Sequence, residues 1–328
     1  MKENTQNVIG FYIRCRSKVN SKLKINFWSD LRKYITSQLT AFGYQTPSAK
    51  ELRDQDRAPE ERKNATEHYD SQRLITHYFS ILMRRLPKAN YQVFVSDTIK
   101  NDAQKLTLAS LIESMFVSGE DVNTHLSHLV KKTDQLKKEH LDLLLSEWGI
   151  HHIHFDPDRT NKLLFVHIKG TSVYFIDVLE HEDDEGTIET WTNTGLIEII
   201  HRNWPDAIKA YKVNGDFGCE ERTTEQRRNL RDKFTNSFVT VPDGTVYRGP
   251  GGGFMANGGA MEVLRATDFI IEQICQHEKD VRAGAEKIRA QLNIADTDSL
   301  RLQLKFEPNL ASHIYHKNRD RIIRFANP

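Results

Sequence analysis

Cysteine, long apolar runs and net charge are what this sequence has least of. Its 328 residues include three cysteines, Cys15, Cys219 and Cys275, with no CxxC spacing among them. So sparse and odd a set excludes a disulfide framework or a zinc ribbon and fits a reducing, cytoplasmic compartment. The longest apolar runs, at 163–168 and 173–176, fall far short of the roughly 20 residues that span a bilayer, so no membrane association is expected. Residues 1–7 hold no leader-like apolar stretch, and no secretory signal is expected. The formal net charge is +1, so any nucleic-acid binding must come from a local basic patch. Also missing are GxSxG, HExxH, the P-loop Gly-Lys-Ser/Thr, and GxGxxG placed after a strand with a downstream acid.

What is present is a globular composition, with 38% hydrophobic and 28% charged residues. That balance excludes both a disordered tail and a membrane protein. The length suits two domains, and a change of period near Gly149 divides them. The reading is an α+β chain. A mainly helical domain over 1–148 precedes an α/β domain over 149–328, which carries a small antiparallel sheet.

In the first half, Trp28, Leu31, Ile35, Leu39 and Phe42 mark a helix stopped by Gly43. Leu74, Tyr78 and Leu82 mark another, ending near Pro87. Residues 91–95 alternate as a short strand does. Two helices follow, the first with Leu106, Leu108, Leu111, Ile112, Met115 and Phe116 and the second with Leu126, Leu129 and Val130. Asp134 is a suitable N-cap for one more, carrying Leu141, Leu144, Leu145 and Trp148. Leu74, Tyr78, Leu82, Leu111, Met115 and Leu144 form the expected core. After Gly149, residues 150–155, 163–168 and 173–179 read as strands, the last two apolar on both faces like central strands of a covered sheet. The polar turn at 169–172 makes an antiparallel hairpin the simplest link between them. Residues 195–204 form an amphipathic helix closed by Pro205, and a glycine-rich stretch at 249–259 precedes a helix over 261–277. A charged helix, a strand at 300–306 and a basic tail complete the chain.

The most unusual local sequence is Trp148-Gly149-Ile150-His151-His152-Ile153-His154-Phe155. On a strand, His152 and His154 share one face while His151 points away. Two imidazoles side by side suit general acid–base work near neutral pH, and His167 on the next strand is the nearest third member. Arg159, Lys169 and Arg202 supply cations, and Thr171, Ser172 and His201 accompany them. These are the parts that hold a phosphate and stabilise its transition-state charge. Arg248, followed by the glycines that include Gly252 and Gly253, is a candidate phosphate cradle, since glycine lets backbone amides approach an anion. The plainer alternatives are histidines satisfied inside a sheet, a solvated hairpin and a tight crossover loop. HHxH alone lacks the spacing of a dedicated metal site, and no carboxylate cluster accompanies it, so neither metal nor cofactor is expected.

The Trp148–Phe155 motif, with Leu163-Leu164-Phe165-Val166 and Val173-Tyr174-Phe175-Ile176-Asp177-Val178 after it, resembles uncharacterised bacterial proteins of mobile-element and phage-defence neighbourhoods. Over about 148–215 the strand, hairpin and helix order is also similar to the compact ribonuclease folds of RelE-like toxins. The resemblance implies an RNA-directed nuclease, a toxin or phage-defence effector, whose helical half docks a protein partner or inhibitor. The residues themselves suggest metal-independent phosphodiester cleavage by His152, His154 and His167 with Lys169 and Arg202. Arg159, Arg248, Gly252 and Gly253 would hold phosphate. The competing expectation is a non-enzymatic adaptor with structural histidines.

Overall fold

The computed structural model describes residues 22–48, 67–126, 142–156, 161–181, 190–215, 222–307, 310–316 and 321–323. In chain order the elements are β1 (Leu23–Lys24), α1 (Phe27–Ala41), α2 (Glu67–Arg84), β2 (Gln92–Val95), α3 (Asp97–Lys100), α4 (Ala103–Ser118), α5 (Leu143–Trp148), β3 (Ile150–His154), β4 (Lys162–Lys169) and β5 (Ser172–Glu180). There follow α6 (Gly195–Asn203), α7 (Pro205–Ile208), α8 (Thr224–Asp232), β6 (Val239–Thr240), β7 (Val246–Tyr247), α9 (Met261–Gln291), β8 (Leu300–Phe306), β9 (Ser312–His316) and β10 (Arg321–Ile323). Short 3-10 turns occupy Val122–His125, Thr190–Thr192 and Lys209–Tyr211. The class is mixed α and β. None of the described helices is long and apolar enough to cross a membrane.

Local signals explain many boundaries. The Asp102 carboxylate accepts from the amides of Gln104 and Lys105 to start α4, and Gly119 ends it in the left-handed conformation. Asp142 caps α5 by accepting from Leu145 N at 2.9 Å. The expected cap Asp134 and the residues Leu129, Val130 and Leu141 lie outside the described residues, as do Cys15 and Cys219. Thr223 and Gln226 form a reciprocal capping box on α8. One expectation changes in length: α9 runs unbroken for 31 residues where two helices were expected, because Gly284 within it is no break.

Two compact units result, Ile35–Phe269 and, in two pieces, Met1–Tyr34 with Ile270–Pro328. These divisions differ from the expected boundary at 148/149. The reason is β2: it comes from the half expected to be helical, yet it pairs with β5.

The larger unit holds a sheet ordered β2-β5-β4-β3. β3 with β4 and β4 with β5 are antiparallel, whereas β2 runs parallel to β5, so the sheet is mixed and not purely antiparallel. Gly170, at φ 61°, occupies the first central position of the two-residue β4–β5 turn, where a type II′ hairpin takes glycine. One face packs Ile150, Leu163, Phe165 and Ile176 against Leu196, Ile197 and Ile200 of α6, with Val239, Val241 and Tyr247. On the other side Phe175 meets Phe116 of α4 edge-on at 5.7 Å, and Phe116 meets Tyr91 at 5.3 Å. Central strands covered on both sides account for their unbroken apolar runs.

The expected core needs one correction. Leu74, Tyr78 and Leu144 are buried, but Leu111 is 57% exposed. Its neighbours Ile112 and Phe116 fill the core, because α4 is apolar on too many sides for spacing alone to choose the inward face.

In the smaller unit the sheet order is β1-β8-β9-β10. β1 is parallel to β8 and the remaining pairs are antiparallel. Leu300, Leu302, Leu304 and Ile314 are buried. The carboxylate of Asp30 on α1 accepts from Leu304 N at 2.9 Å, satisfying a strand donor beyond the end of the two-residue β1.

Candidate functional site

The register of β3 against β4 sets the positions of the histidines. Ile150 faces His167, His152 faces Phe165 and His154 faces Leu163, so His152, His154 and His167 share one sheet face. All three are buried. The His152 and His154 rings lie 6.0 Å apart, nearly perpendicular. His167 Nδ1 lies 3.0 Å from Gly149 O, and burial pulls its pKa below the ordinary histidine value. His151, on the opposite face, is held down to about 4, chiefly by burial.

The expected cations are placed elsewhere. Lys169 Nζ donates to the carbonyls of Asp206 and Ala207 at 3.0 and 3.2 Å. Six residues of β4 separate it from Leu163, the partner of His154, which is about 20 Å of strand. Arg202 grips Asp97 through Nε and one terminal nitrogen, at 2.7 and 2.8 Å. Those hydrogen bonds hold the Asp97 carboxyl well below the usual carboxylate range. Asp97 follows β2, three strands across the sheet from β3, a separation of about 14 Å. His152, Lys169 and Arg202 are therefore not brought together. His201 is also engaged: its Nδ1 meets Tyr247 OH at 2.8 Å and its Nε2 meets Asp243 at 3.1 Å. Arg159 lies outside the described residues.

The glycine-rich loop makes close contact with backbone. Gly251 N donates to Glu147 O and Gly253 N to Ser146 O, both at 2.9 Å, while Gly252 N donates to Gly249 O at 3.0 Å. A Cβ at Gly251 would stand 2.3 Å from Leu145 O and 2.5 Å from Gly149 N, so only glycine fits. The loop thus wraps the C-terminal end of α5, and the amides of Gly252 and Gly253 are already engaged. Arg248 lies over the Tyr211 ring at 5.5 Å.

That wrap positions a feature not apparent from the motifs. Glu147, at the end of α5, forms a buried ion pair with Arg231 of α8, with N–O distances of 2.6 and 2.8 Å. The Arg231 guanidinium also stacks on the Trp148 ring and donates to Trp191 O. Trp191 in turn touches His152 at 5.0 Å, His181 at 5.3 Å and Phe165 at 6.0 Å between ring centroids. His181 is exposed at the end of β5 and stacks on His154 at 6.4 Å. The histidines therefore form a graded row, from buried His152 through His154 to solvent-facing His181.

Beside this row opens a cavity of about 790 Å³, lined by Glu180, Thr190, Thr192, Arg222, Thr223 and Arg227 among others. Its wall carries Arg222, several hydroxyls and the Glu180 carboxylate, and Arg227 there is buried and donates to Phe238 O at 3.2 Å. Sequence reasoning missed His181, Trp191 and Arg227 because they come from separate segments with no shared period. In sequence His181 is followed by the acidic run Glu182-Asp183-Asp184-Glu185, which carries no motif. Among the described residues no group of three or more His, Cys, Asp or Glu side chains could hold a metal ion.

No protein-family model matches the chain, and no curated protein or solved structure matches it either. The side chains of the site are therefore what speak for its function.

Proposed function

We propose that this protein is an RNA-directed phosphodiesterase that cleaves without a metal, in the manner of a toxin or phage-defence effector. Its centre is the His154–His181 pair and the arginine-lined cavity beside it. One observation carries the reading: a solvent-facing imidazole, His181, is stacked on a buried one and adjoins Glu180 of the cavity wall. His181 and His154 serve as base and acid. One takes the proton from a ribose 2′-OH as that oxygen attacks phosphorus, and the other protonates the departing 5′-oxygen. Arg222 holds the phosphate and offsets its extra charge, with the buried Arg227 adding its field from behind the wall. The products are a 2′,3′-cyclic phosphate and a 5′-hydroxyl. Compared with the sequence expectation, the acid–base pair moves toward His181, and Arg222 takes the role assigned to Lys169 and Arg202.

The test is cleavage of RNA by purified protein in chelator. His181→Ala and His154→Ala should each lower the rate on the order of 10² to 10⁴-fold. His181 is exposed, so its variant should keep the wild-type melting temperature. Cleavage that survives both substitutions, or that chelator abolishes, overturns the assignment. The burial of His152, His154 and His167 favours a second reading, a non-enzymatic adaptor. RNA or a protein bound but never altered would decide for it.

A further inference from the structure

We infer that the open face of the β1-β8-β9-β10 sheet is a binding surface for single-stranded nucleic acid, RNA in the first instance. This rests on the smaller unit alone and is independent of the cleavage reading. Along β8, Leu300, Leu302 and Leu304 are buried, while Arg301 and Lys305 are exposed with Gln303 between them. The parallel register sets exposed Lys24 beside Arg301. The antiparallel register sets Tyr315, only 7% exposed, beside Gln303 and exposed His313 beside Lys305. β10 adds Ile322, the cross-strand partner of Tyr315 and 53% exposed. All of these side chains belong to one face, because cross-strand partners point the same way.

The chemistry of that face is specific. Among the described residues, neither Lys24 nor Arg301 has an ion-pair partner. Glu307, just beyond β8, is taken by His313 at 2.9 Å. The Lys305 ammonium sits 3.4 Å above the centroid of the Tyr315 ring, a cation–π contact that keeps it over the sheet. Arg301 and Lys305 are about 13 Å apart along β8, far enough to engage separate phosphates of one strand. The exposed Ile322 is the apolar contact for a base, and the buried Tyr315 ring beside it would join the stack only as Lys305 moves onto a phosphate. A flat face of this kind suits unpaired bases, whereas duplex grooves are read by elements that enter them.

The experiment is fluorescence anisotropy of a labelled single-stranded oligoribonucleotide with the full chain carrying His181→Ala, which separates binding from turnover. Each phosphate contact to a single strand contributes about −0.7 to the slope of log K against log salt. Three contacts therefore predict a slope near −2, or about a 20-fold loss of affinity between 50 and 200 mM salt. The triple variant Lys24→Ala/Arg301→Ala/Lys305→Ala should bring the slope close to zero and keep the melting temperature. Tyr315→Leu should weaken binding with the slope unchanged. Four outcomes overturn the inference: no binding at low salt, a triple variant that binds like its parent, duplex bound as tightly as single strand, or a polyglutamate chain that competes as well as RNA. In the last case the face belongs to an acidic protein partner. If cleavage is absent while this binding stands, only the catalytic proposal fails.

Discussion

The sheet β2-β5-β4-β3 is covered on both faces by helices and loops, whereas the sheet β1-β8-β9-β10 keeps one face with Lys24, Arg301, Lys305 and His313 exposed. In the covered sheet, several polar groups are tied. His167 meets a backbone carbonyl, Lys105 reaches Asp177 at 2.7 Å, and Arg231 closes on Glu147. In the open sheet, charges stand at alternate positions in reach of water, with Lys305 lying over the Tyr315 ring and His313 against Glu307. Burial turns a polar side chain into a structural commitment, because an unpaired group there costs far more than at the surface. The exposed charges of the open face carry no such penalty, and among the described residues Lys24 and Arg301 have no ion-pair partner.

The largest expected effect lies in the covered sheet's support. Arg231→Ala leaves Glu147 buried without its cation and should cost about 3–5 kcal/mol in denaturant unfolding. Gly251→Ala should also be strongly destabilising, since its methyl group would overlap the carbonyls of α5. Either variant folding at wild-type stability would show that the wrap and ion pair are dispensable.

Acid offers the next test. His151 titrates near 4 in the folded chain against 6.5 in the unfolded one, so it is neutral when folded. As pH falls below 6.5 the unfolded chain takes up a proton that the fold refuses. Stability should drop on the order of 3 kcal/mol by pH 4, with His167 acting in the same direction. His151→Asn should flatten that slope, and an unchanged pH profile would place the titration elsewhere.

Smaller effects separate surface from core. Asp97→Asn breaks the Arg202 pair, whose side chains are about half exposed, and should cost at most about 1 kcal/mol, less in high salt. Leu111→Asp should stay within about 0.5 kcal/mol of wild type, as should Arg301→Ala on the open sheet. A melting temperature lowered by many degrees in Leu111→Asp would mean that its exposed face is covered in solution.

Period and punctuation decided much by themselves. The apolar runs of β4 and β5 and the turn glycine between them made that hairpin legible, and alternation placed His152 and His154 on one face. The helix starting near Phe27 and the short strand near Val93 were legible for the same reason, because each follows from the preference of a local backbone. The tertiary structure alone decided which elements meet. Parallel pairing of β2 with β5 joins residues some 80 positions apart, and no local signal specifies it. The glycines of 249–253 looked like a phosphate loop, and only their contact with α5 shows them as a wrap. The same holds for His181, Trp191 and Arg227, which packing brings beside the histidine motif. Side-chain spacing reports the path of one segment, but a site belongs to several, and their convergence is set by the burial of apolar faces that each segment offers to the others.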